Sequence, residues 1–371
     1  MSILEKQLSF YFNKDVENSV IRVDRAFLGL YGLFMFLKKS SSRTKVLFTS
    51  NTCASPVYAC IYAGLEPVFT DISPEDFLMC ENDTNKIISE NADSILALVY
   101  IYSFGITSDY VLNLKPLLNK LGIILIEDVA QAIGSETRGV KTGLIGDYSV
   151  FSFGYSKHID AGCGGFVFDN IKSDFRNNYQ EIISTVTLSD PDKVLSEDYS
   201  KSFYTIRSSA VNDETKYQQF LNFYKKYRNL YFIKLNPDWD LIEKKTSNFF
   251  ANRQRFERNR VAKYYYNELN KLKIPEGVYF PEIIDDYSIY RYTFLSVDET
   301  DSAVLSSKLR AFGINCSNLY IPVSRFFNIN GFKNAVDFAK RCINLWVEPD
   351  IAVDNYLKET ISVIRAHYIN K

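Results

Sequence analysis

Across residues 26–170, short apolar runs alternate with helix-length pieces, and this alternation constrains the fold more than any other feature. Val46–Thr49 reads as a strand. Ser55–Ala63 reads as a helix closed by Gly64. Pro67–Asp71 is a second strand, with turn residues Ser73 and Pro74 behind it. Ser94–Tyr100 is a third strand, and Tyr110–Lys120 is a helix stopped by Gly122. Ile123–Ile126 then runs directly into Glu127 and Asp128. The apolar runs lack strict period-two alternation, as strands covered on both faces do. The pattern predicts an α/β architecture with a mostly parallel central sheet and crossover helices. Sheets of that kind carry their sites at the C-terminal ends of the strands.

The remainder of the chain reads differently. The stretch AFLGLYGLFMFL, residues 26–37, is a core helix, too short to span a bilayer and closed by Lys38, Lys39 and serines. Residues 172–245 are polar, with a helix over Tyr217–Phe232 whose Phe220, Phe223, Tyr224, Tyr227 and Tyr231 fall at helical spacing and pack one face. Asn248–Lys271 reads as a long helix leading into a second unit. Residues 272–371 hold the signals of a small α+β domain at Tyr290–Val297, Ser302–Phe312, Tyr320–Pro322 and Ala335–Asn344. A chain of 371 residues accommodates two domains, expected at 1–250 and 251–371.

Composition removes several function classes. Lys+Arg 43 against Asp+Glu 44 leaves a net charge of −1, which offers no electrostatic reason to bind nucleic acid or an anionic membrane. Only two histidines are present, His158 and His367, far apart in sequence, so no metal site is expected. The six cysteines show no CxxC spacing and read as reduced, mostly buried thiols of a cytoplasmic protein. The first twenty residues lack a basic segment followed by an apolar one, so no signal peptide is expected.

Chemistry concentrates in IEDVAQAIGSETRGVKTGLIGDYSVFSFGYSKHIDAGCGG, residues 126–165. Asp128 ends an apolar strand, where a partly desolvated carboxylate wants a cation or a donor. Lys157 follows the apolar FSF and precedes a run with Gly162, Gly164 and Gly165. A lysine at such a place is a candidate Schiff-base nucleophile. A carboxylate for a pyridinium nitrogen together with such a lysine is the pair that pyridoxal phosphate requires. Spacing alone leaves a second reading open, in which Asp128 caps a helix or pairs with a cation and Lys157 is a solvated surface residue.

The segment resembles the DegT/DnrJ/EryC1/StrS family of sugar aminotransferases. The shared pattern stands here as IEDVAQA, GDYSVFSF, Lys157 and GCGG, in order and at close to family spacing. The resemblance extends to VLFTSNTCASPVYACIYAGLEPVFTDI (46–72), SFGI (103–106), LYIPV (319–323) and INLWVEPDI (343–351). It implies a pyridoxal-phosphate enzyme of the aspartate-aminotransferase fold, fold type I, with a large α/β domain and a small C-terminal α+β domain. Lys157 would be the catalytic lysine, carrying the cofactor and moving the substrate proton. Asp128 would pair with the pyridine nitrogen, Gln131 would hydrogen-bond the ring oxygen, and Ser152 would bind the phosphate. Arg25 and Ala26, at the start of the first long helix, would add phosphate contacts at a natural anion site. Cys53 stands where the family carries an aromatic residue stacked on the cofactor ring.

Other departures stand out. Asp24 replaces the family's glycine, and a carboxylate beside a phosphate must turn away. Cys163 stands in for an acidic residue of the glycine-rich turn. The Asn-x-Arg segment that reaches the phosphate from the partner subunit has no counterpart within 172–245, where Lys244 or Lys245 could substitute. His158, next to the lysine, reads as a loop residue. Tyr102 and Tyr320 sit where sugar contacts occur, but 26 tyrosines make a core or surface role the simpler reading for each.

The resemblance implies transfer of an amino group from an amino acid, glutamate first, to a keto sugar. The sugar would be nucleotide-linked and destined for a surface polysaccharide such as lipopolysaccharide. It also implies a cytoplasmic homodimer with shared active sites. Three rivals are distinguishable. A sugar dehydratase of the same family needs no stoichiometric amino donor. A non-catalytic cofactor- or sugar-binding regulator would show no half-reaction. A nicotinamide oxidoreductase would carry a G-x-G-x-x-G opening a helix after a strand, and none is present.

Overall fold

The computed structural model describes residues 2–188, 214–226, 228–251, 254–318, 320–349 and 354–369. The N-terminal helix α1 (Ile3–Phe12) starts at Ser2, whose hydroxyl accepts from the Glu5 N–H while the Glu5 carboxylate accepts from the Ser2 N–H. The sheet unit then runs β1 (Val20–Val23), α2 (Ala26–Lys39), β2 (Lys45–Thr49), α3 (Ala54–Tyr62), β3 (Glu66–Thr70), α4 (Glu81–Asn91), β4 (Ile95–Ile101), α5 (Tyr110–Leu121) and β5 (Ile124–Asp128). A two-residue hairpin, β6 (Glu136–Thr137) and β7 (Val140–Lys141), precedes β8 (Tyr148–Ser152), β9 (Gly165–Asp169) and α6 (Phe175–Ser184). Seven strands form one sheet in the order β1-β9-β8-β5-β4-β2-β3. Strands β8, β5, β4, β2 and β3 are mutually parallel, and β9 runs against β8 and β1.

The expected strands and helices through Asp128 are present, with ends shifted by a residue or so, where hydrogen bonding frays. All seven residues of β4 are buried, which accounts for its unbroken apolar run. Gly122 takes φ +65° and closes α5. Helix α2 is buried from Phe27 to Phe34, as its composition requires. One apolar core lies between the sheet and α2, α3 and α6, and a second lies on the opposite face with α1 and α5.

The C-terminal unit packs around a third core, to which Ile72, Phe77, Leu78, Phe104 and Ile106 of the sheet unit also contribute. Helices Gln254–Leu269, Glu299–Ala311, Lys333–Arg341 and Asp354–Ile369 pack with a three-stranded antiparallel sheet of β10 (Arg291–Leu295), β11 (Cys316–Ser317) and β12 (Cys342–Trp346) in the order β10-β12-β11. The stretch expected as a long helix over Asn248–Lys271 is helical over Trp239–Ala251 and Gln254–Leu269, with residues 252 and 253 outside the described residues. The first buries Ile242 and Phe249 against the sheet unit, and the second buries Val261, Tyr265 and Leu269 in the C-terminal core, so their apolar faces serve different cores. Tyr320–Pro322 is no strand. Pro322 precedes a 3-10 turn, Val323–Phe327, and a residue without an N–H cannot donate to a ladder.

The helix expected over Tyr217–Phe232 spans Glu214–Lys226, followed by a 3-10 turn over Arg228–Phe232. Tyr231 and Phe232 pack on Phe27 of α2 at 4.8 and 5.1 Å between ring centroids. Tyr227, Leu319 and the last two residues of the 343–351 motif lie outside the described residues. No helix among the described residues is long and apolar enough to cross a membrane.

Candidate active site

A cavity of about 390 Å³ opens at the C-terminal ends of β2, β4, β5 and β8, where parallel sheets place their ligands. Asp128, Gln131, Ser152 and Lys157 all line it, although the sequence spreads them over thirty residues. So do Ala26, the first residue of α2, and Cys53, the exposed N-cap residue of α3. Neither helix start has a side-chain cap, so both leave backbone N–H groups at the cavity wall.

Each polar group is positioned by its own strand or loop. Asp128 ends β5, and its Oδ1 accepts from the Ala130 N–H at 3.0 Å. Burial pushes its carboxyl up, opposed by that N–H and by the nearby Lys157 ammonium. Gln131 accepts from the Phe104 N–H at 2.9 Å through Oε1, so what remains for a ligand is its amide N–H groups. Ser152 ends β8 and accepts from the Gly154 N–H at 3.3 Å, leaving its hydroxyl hydrogen to donate. Lys157 follows a tight loop in which Ser156 holds φ +62°. The Asp160 carboxylate pins that loop by accepting from the N–H groups of Ser156 and Gly162, at 2.8 and 3.0 Å.

The glycine-rich turn has a steric reason. A Cβ on Gly165 would lie 2.4 Å from the Phe151 carbonyl oxygen, and one on Gly164 would lie 2.7 Å from Ile242. Without them, Gly164 donates its N–H to the Asp24 carbonyl at 2.8 Å and brings the turn against the start of α2. The Asp24 carboxyl itself turns to residues 234–235. Burial raises its pKa, while the Leu235 N–H and the Lys234 charge lower it. Arg25 does not line the cavity. Its Nη1 donates to the Leu230 carbonyl at 2.8 Å and its guanidinium lies 5.9 Å from the Tyr231 ring centroid. Lys245 donates to the Asp160 carbonyl, on the loop that carries Lys157.

Several residues of the site were not singled out by sequence. Glu127 is fully buried and accepts from the Tyr102 hydroxyl at 2.6 Å and from the N–H groups of Gly143, Ile145 and Gly146 at 2.9, 2.8 and 2.7 Å. Burial raises its carboxyl, and these donors pull it back. Tyr102 itself lines the cavity, with its hydroxyl hydrogen given to Glu127. Asn51 also lines the cavity, with its Nδ2 buried and without a hydrogen-bond partner among the described residues. Tyr290 comes from the C-terminal unit, and Lys157 Nζ lies 5.7 Å from its ring centroid. No sequence signal marks it, because it stands 133 positions from Lys157. Tyr320 does line the cavity, packed on Phe104 at 5.6 Å. Among the described residues no cluster of metal-ligating side chains occurs.

Residues 16–176 match the profile of the DegT/DnrJ/EryC1/StrS aminotransferase family. The chain is similar to the GDP-perosamine synthase of Vibrio cholerae, 35% identical over 126 residues that make up 34% of this chain and 33% of that protein. It is also similar to a dTDP-3-amino-3,4,6-trideoxy-alpha-D-glucose transaminase of Micromonospora megalomicea subsp. nigra, 35% identical over 127 residues, 34% and 33% of the two chains. The matched span is thus about a third of the length of these curated relatives. Among solved structures, Helicobacter pylori PseC, an aminotransferase involved in the biosynthesis of pseudoaminic acid, superposes with a TM-score of 0.74 at 19% identity, over 100% of this chain and 91% of that one. A likeness at that identity shows the fold: a large, mostly parallel sheet with a smaller C-terminal α+β unit, the fold type I architecture expected above.

Proposed function

We propose, from the premise that the chain belongs to the DegT/DnrJ/EryC1/StrS aminotransferase family, that it is a pyridoxal-phosphate-dependent sugar aminotransferase. It moves an amino group from an amino acid, glutamate in our reading, to a keto sugar carried on a nucleotide. The observation that carries this reading is the convergence of Asp128, Gln131, Ser152 and Lys157 on one cavity with the starts of α2 and α3. The product serves a glycan pathway, and the working form is a cytoplasmic homodimer.

The residues present fit the cofactor by the chemistry of their donors. A carboxylate suits a protonated ring nitrogen, an amide N–H suits a ring oxygen, and a hydroxyl with two uncapped helix starts suits a phosphate. A cavity of about 390 Å³ accommodates a ring and a sugar-sized partner. Asn51, buried and without a partner at Nδ2 among the described residues, adds a donor in search of an acceptor. The cofactor, when bound, supplies an electron sink for charge developing on the substrate carbon.

The chain's own residues supply the rest. Asp128, whose carboxyl is held up by burial, keeps a proton on the group that faces it once that group is cationic. Lys157 Nζ holds and returns the proton exchanged with the substrate carbon. Gln131 keeps its donor side free because Phe104 occupies its acceptor. Phe104 and Tyr320 cover one side of the cavity and exclude water.

The test is an absorbance spectrum of the protein with pyridoxal phosphate, before and after glutamate, followed by borohydride reduction and peptide mapping. The expected result is a near-visible band that glutamate shifts, with the label on Lys157. Turnover without stoichiometric glutamate points to the dehydratase instead. No band and no label leave a non-catalytic binding protein.

A further inference from the structure

His158 is buried next to Lys157, and its Nε2 lies 2.9 Å from the Ser288 carbonyl oxygen. A carbonyl only accepts, so Nε2 carries the hydrogen and donates. The ring is neutral in these surroundings. Burial pushes its pKa well below the usual range, and the charges of Arg258, Arg291 and Lys157 push the same way. The rings of Phe249 and Tyr290 flank it at 6.0 and 5.7 Å.

The segment on the other side of this bond is held at every N–H. Ser288 donates to Ser135 Oγ at 2.8 Å, Ile289 to Asn259 Oδ1 at 3.2 Å, and Tyr290 to the Phe104 carbonyl at 2.7 Å. Phe104 is the residue whose N–H occupies Gln131. The His158 bond therefore ties the loop carrying Lys157 to a segment already anchored to the loops after β4 and β5. Tyr290 ends that segment with its ring toward Lys157 Nζ, and the Arg291 guanidinium lies 4.3 Å from the same ring.

We propose that His158 is a positioning residue for Lys157: by donating Nε2–H to Ser288 it holds Tyr290 against the lysine and limits where Nζ can point. The proposal rests on the reading of Lys157 as the reacting amine. Misplacing a reacting group by about 1 Å costs on the order of a hundredfold in rate.

The test uses the full chain reconstituted with pyridoxal phosphate. His158→Leu should slow single-turnover amino transfer from glutamate about 10- to 100-fold, with half-saturating glutamate changed by less than about threefold. His158→Gln keeps an N–H at similar reach and should recover most of the rate. Tyr290→Leu should match His158→Leu, and the double variant should be no slower than either. Two readouts need no turnover. In the cofactor-free wild type, imidazole 15N spectra should show His158 neutral and protonated at Nε2. Borohydride-trapped labelling of Lys157 by pyridoxal should slow in His158→Leu and not in His158→Gln.

Wild-type rates in His158→Leu overturn the proposal. So does a His158→Gln variant no better than His158→Leu, or a hydrogen on Nδ1. If His158→Leu does not fold, His158→Gln and Tyr290→Leu still decide, because wild-type transfer in Tyr290→Leu removes the mechanism. If the wild type takes no label on Lys157, the aminotransferase reading fails, while the spectra still test the Ser288 bond.

Discussion

Asp128 and Lys157 share one cavity, and removing either charge has its own signature. Lys157→Ala should lower amino transfer by at least about 10⁴-fold, read in a coupled glutamate assay, because no neighbouring amine replaces it among the described lining residues. Substantial residual transfer would sink the assignment. Asp128→Asn should fold, retain the bond to the Ala130 N–H and lose turnover by about 10²-fold or more. Its stability carries a second outcome. Burial holds the Asp128 carboxyl above its unfolded value of about 4. The cofactor-free folded state therefore keeps its proton to higher pH than the unfolded chain and loses stability as pH rises through that folded value. Asp128→Asn removes the loss, so urea midpoints of variant minus wild type should be more positive at pH 7 than at pH 4. The opposite order contradicts the burial account. These residues were legible because the motif from 126 to 165 sits on two neighbouring strands and their loops. Arg25 was not: the group that holds its guanidinium, Leu230, lies 205 positions away.

Helix α2 shows how an element is placed by what it lacks. A Cβ on Gly29 would lie 2.8 Å from Val167, and one on Gly32 would lie 2.8 Å from the Tyr179 ring. Both glycines let α2 approach β9 and α6, which brings its N-terminus to the cavity. Gly32→Ala gains about 1 kcal/mol in helix propensity. It forces Tyr179, buried and packed on Phe175 at 5.6 Å, to move, at about 1–3 kcal/mol. A net loss of about 1 kcal/mol in urea unfolding is expected, and a more stable variant would show that Tyr179 yields. At this scale the sequence read well where the signal was local, as at Gly64 and Gly122, both with positive φ. It misread Tyr320–Pro322, where Val323 donates instead to Ser50 of the sheet unit at 2.7 Å.

At the scale of the molecule, the sheet unit and the C-terminal unit are joined by contacts across their boundary. The Asp71 carboxylate, just past β3, accepts from the N–H groups of Asn334 and Ala335, both at 2.9 Å, and so caps a helix of the C-terminal unit. Arg255 pairs with Glu136 at 2.7 Å across the same boundary. Gly105 is the tightest point. It holds φ +87°, and a Cβ there would lie 2.0 Å from the Ser288 carbonyl oxygen. Gly105→Ala should cost more than about 3 kcal/mol, from backbone strain and from the displaced segment together. Retention of pyridoxal phosphate should fall with it, because Tyr290 and Phe104 move with that segment. A thermal melt that matches the wild type would show that residues 288–290 can shift without loss.

By itself the amino-acid sequence determined the alternation of strands and helices and the stops at glycine, which depend on backbone conformation and side-chain period within a few residues, and such short-range physics is written locally. The carboxylate, amide, hydroxyl and lysine that line the cavity were legible only through the resemblance of residues 126–165 to a family pattern. The tertiary structure alone decided that Asp24 and Arg25 turn toward residues 230–235, that Glu127 accepts from the Tyr102 hydroxyl, and that His158 and Tyr290 meet beside Lys157. Those outcomes depend on partners 25 to more than 200 positions apart, brought within hydrogen-bond or van der Waals reach only once the cores have packed.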